Sequence, residues 1–402
     1  MLRRQLLQAL AAGAIITATG EARAQNDKWG AAQQYPEGWV GGLSFDPTRR
    51  VGNYSGGFES FLPFRRIRPG QHALPLTSVQ KTVKYQSDFG SSVPDEYLNR
   101  WPVTSLAIAR KGEIWFEAYR FDRTASTRFT SWSMAKSVTS LLLGICLDRG
   151  LIHAFDDVAE TYVPELRGTL HGGCTLRNLA NMSSGAAIEH EKDASIVVPS
   201  AFTSKKSSVA TTVANWNARK EEQGKRFNYN ELCALTVGMV IRRVSGLSLS
   251  EFAEEALWRP LGTEAEATWT TDSERNEYNC IGFAARLRDW IRLGMLIAQR
   301  GRANGKQIVS ERWITECTTW GPADGQVRYG VASPNALLGG YKAFMWHARP
   351  DGSQVVFNGH HGQRVFIDME TQTVLAQTAV DHAGAWQREL YAMFAAAVKL
   401  PG

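Results

Sequence analysis

The order in which this chain changes its periodicity restricts its fold more than any other feature. Two apolar runs spanning 104–119 flank a Lys111-Gly112 turn and read as a β-hairpin. From 133 to about 300 the apolar spacing shifts to three and four residues, as over 230–243 and 284–300, with breaks at Gly150, Pro164, Gly185, Gly246 and Pro260. Strand-like runs then return at 343–347, 354–357, 364–368 and 373–380, separated by turn-forming residues at 350–352 and 369–371, before a last helix over about 386–398. Strands near both ends and helices between predict an α/β (α+β) fold: one antiparallel sheet flanked by helices and fed by both ends of the chain, plus an inserted all-helical lobe. The sheet part is expected at about 25–149 and 285–402, the helical part at about 150–284. A cleft between two such lobes is a natural ligand site. The stretch from 25 to about 100, rich in Gly, Pro, Tyr and Arg, shows little periodicity and reads as an irregular wrapping segment.

Composition narrows the function classes. At 402 residues, 44% hydrophobic and 21% charged, the chain can bury one large core or two lobes. The first residues follow the plan of an export signal: Arg3 and Arg4, an apolar run from Leu6 to about Thr19, then Ala22-Arg-Ala24 as a small-x-small cleavage site. The adjacent arginines point to the twin-arginine route, so 1–24 is expected to be removed and the mature protein to work outside a bacterial cytoplasm, in the periplasm or secreted, with no stable membrane insertion. The formal charge of +6 falls to about +4 without that segment, and with no Lys/Arg runs it offers nothing to nucleic acid. The five cysteines lack any Cys-x-x-Cys pairing and read mostly as buried small hydrophobes.

Two Ser-x-x-Lys pairs occur. Ser78 and Lys81 sit in a β-branched, strand-like stretch that would make the side chains diverge. Ser133 and Lys136 open a helix, which Ser131 is expected to cap and whose residues Met134, Val138, Leu141, Leu142 and Ile145 should bury it. Three-residue spacing puts serine and lysine on one helix face. Burial and the positive end of the helix dipole would push such a lysine towards its neutral form, able to accept the serine's proton. A lysine there can also snorkel to solvent, so the pair alone does not decide between catalysis and packing.

The wider context is more specific. The run from Trp115 to Tyr119 through Ser131-Trp-Ser-Met-Ala-Lys-Ser-Val-Thr-Ser140 resembles the serine β-lactamase-related hydrolases, most closely the branch of 6-aminohexanoate-dimer hydrolases and carboxylesterases. Further matching stretches follow in order at 155–166, 175–185, 226–230, 260–262 and 359–363, so the likeness spans roughly 100–400. It implies a β-lactamase/transpeptidase-like fold and three motifs lining a cleft: Ser133 with Lys136, then Tyr229 as a proton relay, then His360-His361-Gly362 where β-lactamases and penicillin-binding proteins carry Lys-Thr-Gly. Many relatives have Asn two residues after the tyrosine; here Asn230 is followed by Glu231, so either Asn230 substitutes for that partner or Glu231 brings a new charge.

A histidine in place of the lysine removes a permanent cation, so carboxylate-bearing β-lactams should be recognised weakly. No carboxylate or third histidine has metal-ligand spacing with the pair, so no metal and no organic cofactor is expected. Gly362 should leave the strand edge bare for a substrate carbonyl, with the Gln363 and Ser133 backbone N–H groups forming an oxyanion hole. The resemblance thus implies a serine hydrolase of esters or linear amides, its partner a small-molecule substrate. Rivals on the same fold are a DD-peptidase and a β-lactamase; a rival of another class is a binding protein that kept the cleft and lost turnover. Pocket shape would depend on the loops at 189–208 and 334–341.

Overall fold

A computed structural model describes residues 27–38, 46–189, 208–324, 339–381 and 386–401. The export segment read at 1–24 lies outside them, as do most of the 189–208 loop and the first residues of the 334–341 loop.

In chain order the strands that matter are β1 (Phe64–Ile67), β2 (Thr77–Ser78), β3 (Val103–Arg110), β4 (Glu113–Tyr119), β5 (Arg128–Thr130), β6 (Ala267–Thr270), β7 (Phe283–Arg286), β8 (Gly340–Lys342), β9 (Met345–His347), β10 (Gln354–Gly359), β11 (Gln363–Asp368) and β12 (Thr373–Ala379). The helices that frame them are α1 (Met134–Asp148), α2 (Glu231–Ser245), α3 (Leu287–Ala298) and α4 (Trp386–Lys399). The large sheet has the order β8-β9-β10-β11-β12-β3-β4-β2. Its pairings are antiparallel except at the edge, where β2 runs parallel to β4. The β12–β3 ladder, Thr373 opposite Arg110 through Gln377 opposite Leu106, joins the C-terminal strands to the early hairpin.

All eight residues of β3 are buried because both faces of the sheet are covered. Leu106 and Ile108 pack with Leu390, Met393 and Phe394 of α4. Ala107 and Ala109, one residue out of phase, belong to the core that holds Leu293 and Ile297 of α3 and most of α1. In α1 every residue from Met134 to Cys146 is buried, as its apolar composition requires. All five cysteines are free and buried. No single helix among the described residues is long and apolar enough to cross a membrane.

Two differences from the sequence reading matter for the site. The span read as a series of helices contains β6 and β7, which with β1 and β5 form a second antiparallel sheet in the order β1-β6-β7-β5. Its core is aromatic: Phe283 lies 5.1 Å from Trp269, 5.5 Å from Trp258 and 5.6 Å from Trp290, each edge-on. Four-residue strands are too short to register against the helical periodicity around them. The segment before 100 is also more ordered than irregular: it contains helices Pro47–Gly52 and Pro94–Arg100 besides β1 and β2.

Candidate active site

Ser133 is set by the meeting of β5 and α1. The Ser131 N–H donates to Phe283 O at 2.7 Å, continuing the β5–β7 ladder to the mouth of the helix. Ser131 does not cap α1 as expected: its hydroxyl donates to Trp132 O at 2.8 Å and Ile281 O at 3.3 Å, because the chain is still strand-bound there. The N-cap position falls on Ser133, whose side chain makes no cap bond and is therefore left to Lys136. Between them Trp132 adopts a left-handed φ of 45°. That conformation costs a non-glycine residue about 1–2 kcal/mol, and packing must hold it. The Trp132 ring is buried against Tyr54 at 5.3 Å, Phe58 at 5.8 Å, His360 at 5.7 Å and His361 at 6.0 Å.

Lys136 is one helical turn on, only 1% exposed. Its ammonium donates to Ser133 Oγ at 3.0 Å and to Cys280 O at 3.1 Å, lies 3.6 Å from Glu231 Oε1, and sits 4.8 Å from the Tyr229 ring centroid. The expectation of a neutral lysine is overturned here. Burial alone pushes the Lys136 pKa down, but the acidic groups around it, Tyr229, Glu231 and Cys280, outweigh burial and raise it above the ordinary lysine value. Tyr229, half-buried just ahead of α2, is hydrogen-bonded to the Ser133 and Lys136 side chains. Its phenol is held above the usual tyrosine range chiefly by burial, with Lys136 opposing. Phe227, Tyr341 and Trp346 wall it in, with Trp346 stacked at 5.8 Å.

Of the two candidates beside the tyrosine, Glu231 faces Lys136. Asn230 is a structural cap: its Oδ1 accepts from Cys233 N–H at 3.1 Å and its Nδ2 donates to Asn228 O at 2.9 Å, so the substrate-binding role expected of it is corrected to holding the start of α2.

His360, His361 and Gly362 form the tight turn between β10 and β11, with His361 at φ 55° and Gly362 at φ 95°. A Cβ on Gly359 would run into the Ser131 carbonyl oxygen, which shows how closely this hairpin lies against the segment that carries Ser133. The need for Gly362 is different from the one read in the sequence. A Cβ there would meet Ala379 Cβ at 2.8 Å, so glycine serves the turn and its packing on β12, not an open approach for substrate. Gln363 also departs from expectation: its backbone N–H closes the turn on His360 O, and its fully buried side chain donates to Ala379 O at 2.6 Å and His360 O at 3.1 Å. The Gln363 half of the oxyanion hole is thus occupied within the chain, while the Ser133 N–H lies at a helix start, where amides have no intrahelical acceptor.

The structure therefore brings together Ser133, Lys136, Tyr229, His360 and His361, and it adds residues that the sequence did not single out. Tyr54 stacks on His361 at 5.4 Å, its hydroxyl 2.9 Å from His361 Nδ1, and the Cys280 carbonyl anchors Lys136. Both come from segments without a motif, far from the site in sequence. The other Ser-x-x-Lys pair is at the sheet edge, where Ser78 is exposed and Lys81 lies over the Trp115 ring at 4.6 Å. Among the described residues no group of three His, Cys, Asp or Glu side chains is arranged to hold a metal ion.

A two-sheet scaffold that presents serine and lysine at one helix start and tyrosine at another beside it defines a class, the serine hydrolases of the β-lactamase-like fold, and this protein is one of them. The Beta-lactamase family profile matches residues 95–385, and the chain belongs to that family. It is 24% identical over 323 residues to a 6-aminohexanoate-dimer hydrolase of Paenarthrobacter ureafaciens, covering 75% of this chain and 79% of that protein. Among solved structures it is similar to a candidate 6-aminohexanoate-dimer hydrolase from Bacillus anthracis, with TM-score 0.75, 21% identity and coverage of 87% and 93% of the two chains. It is also similar to a family VIII carboxylesterase, with TM-score 0.57, 15% identity and coverage of 75% and 95%.

Proposed function

We propose that this hydrolase cleaves a small ester or linear amide, in the manner of a 6-aminohexanoate-dimer hydrolase or carboxylesterase, through an acyl-enzyme on Ser133. The observation that carries this reading is the 3.0 Å contact from Lys136 Nζ to the partly exposed Ser133 hydroxyl, with Tyr229 bonded to both. As Ser133 Oγ bonds to the carbonyl carbon, its proton passes to the Tyr229 oxygen while the phenol's own proton goes to the leaving amine or alkoxide. Lys136 donates to Oγ throughout and steadies its developing charge. Water then attacks the acyl group along the same path in reverse. His360, standing where the lysine of β-lactamases stands, supports a preference for substrates without a carboxylate beside the scissile bond. The test is a panel of 4-nitrophenyl butyrate, the linear dimer of 6-aminohexanoate and a chromogenic cephalosporin. Turnover of the ester or the linear amide is expected; rapid turnover of the cephalosporin alone would overturn the assignment.

We also propose that the chain is exported by way of its Arg3-Arg4 leader. N-terminal sequencing of the periplasmic protein should begin near Gln25; a start at Met1 contradicts this.

A further inference from the structure

Glu231 is absorbed by neither the motif nor the proton path above, yet it lies inside the site. It is the first residue of α2, 5% exposed, with Oε1 3.6 Å from Lys136 Nζ. Burying two charges is costly, and a buried pair is often no more stabilising than neutral groups of the same shape, so stability is a weak reason for this carboxylate. Resting on the reading of Ser133 as nucleophile, we infer that Glu231 is a positioning residue that keeps Lys136 an ammonium through the whole cycle, leaving Tyr229 as the group that relays the serine's proton.

The proton inventory balances without Lys136 changing charge. The Ser133 O–H breaks as Oγ–C forms, that proton replaces the one Tyr229 gives up, and the Tyr229 proton ends on the leaving nitrogen or oxygen. The other titratable groups facing the pair are Tyr229, Cys233 of α2, Cys280 of the loop before β7 and Tyr341 of β8. Burial pushes the Cys233 thiol up to about 11, Cys280 up to about 12, and both phenols above their usual range. Near neutral pH the charge at this point is therefore that of Lys136 and Glu231. With the carboxylate gone, burial of Lys136 is opposed by less, and its pKa must fall.

The experiment is kcat/KM for 4-nitrophenyl butyrate from about pH 6 to about pH 10, spanning the interval between the histidine and lysine ionisations, in wild type, E231Q and E231D. The wild type should hold its activity on the alkaline side. E231Q should lose activity through a new alkaline ionisation at lower pH, about tenfold for each pH unit above it, and E231D should restore the wild-type shape. A profile for E231Q that superimposes on the wild type, or one that rises with pH, overturns the inference, the second because neutral Lys136 would then be the working base. Should E231Q fail to fold, E231N removes the same charge and places there the asparagine that many relatives carry. Absence of fluorophosphonate labelling at Ser133 in the wild type is a separate failure: it sinks the hydrolase reading, and this inference with it.

Discussion

A lysine 1% exposed beside a glutamate 5% exposed has given up its hydration and must be compensated within the protein. Lys136 finds that compensation in Ser133 Oγ, Cys280 O and the Glu231 carboxylate, three groups from three segments. Its pKa is raised on folding, so the stability it contributes is fully present below the ordinary lysine value and fades only as pH rises through the folded one. At neutral pH, K136M leaves a buried carboxylate without its ammonium and should cost about 3–5 kcal/mol in urea unfolding. K136M/E231Q should recover a large part of that loss, since the stranded charge goes with it. A double variant as unstable as K136M would mean that the two side chains are not coupled. The spacing from Ser133 singles out Lys136 in the sequence, but burial and the helix dipole were the only grounds there for its charge. The partner that reverses that assignment arrives from α2, and no local pattern announces it.

Elements place these residues where sequence spacing cannot. The β10–β11 turn reaches the segment that carries Ser133 because Gly359 lets its backbone lie against the Ser131 carbonyl. Gly359→Ala should therefore displace the turn, lower stability by about 1–3 kcal/mol as an overpacked site does, and slow acylation of Ser133 at least tenfold by stopped-flow, about 1.4 kcal/mol in barrier. Normal stability with normal acylation would show that the turn does not set Ser133. The hairpin of β3 and β4 and the strands β10 to β12 were legible because turn residues separate long apolar runs. The strands β1, β6 and β7 were not, because each has four residues and pairs with partners distant in sequence. That small sheet delivers Ser131 to α1, so missing it also produced the mistaken capping role for Ser131.

Across the whole molecule, the closure of β12 on β3 buries the sheet on both faces and takes polar side chains inside with it. Burial pushes the imidazole of His347 on β9 down to about 3 and that of His171, between α1 and α2 in the chain, down to about 4. Both are neutral when folded, whereas the unfolded chain takes up protons near pH 6.5, so stability is lost as pH falls from there towards the folded values. Between pH 7 and pH 5 each histidine should remove about 2 kcal/mol, read as a falling urea midpoint, and His347→Leu should flatten the slope. An unchanged slope would show that His347 takes up protons in the folded protein. The fold class followed from strands at both ends of the chain, and the candidate site from motifs in a recognisable order. Hydrolysis is proposed to run through Ser133, and the most direct measurement of that is intact mass and peptide mapping after treatment with a fluorophosphonate probe. One adduct per chain, on the peptide that carries Ser133 and absent from S133A, is the predicted result; no adduct, or an adduct that persists in S133A, contradicts it.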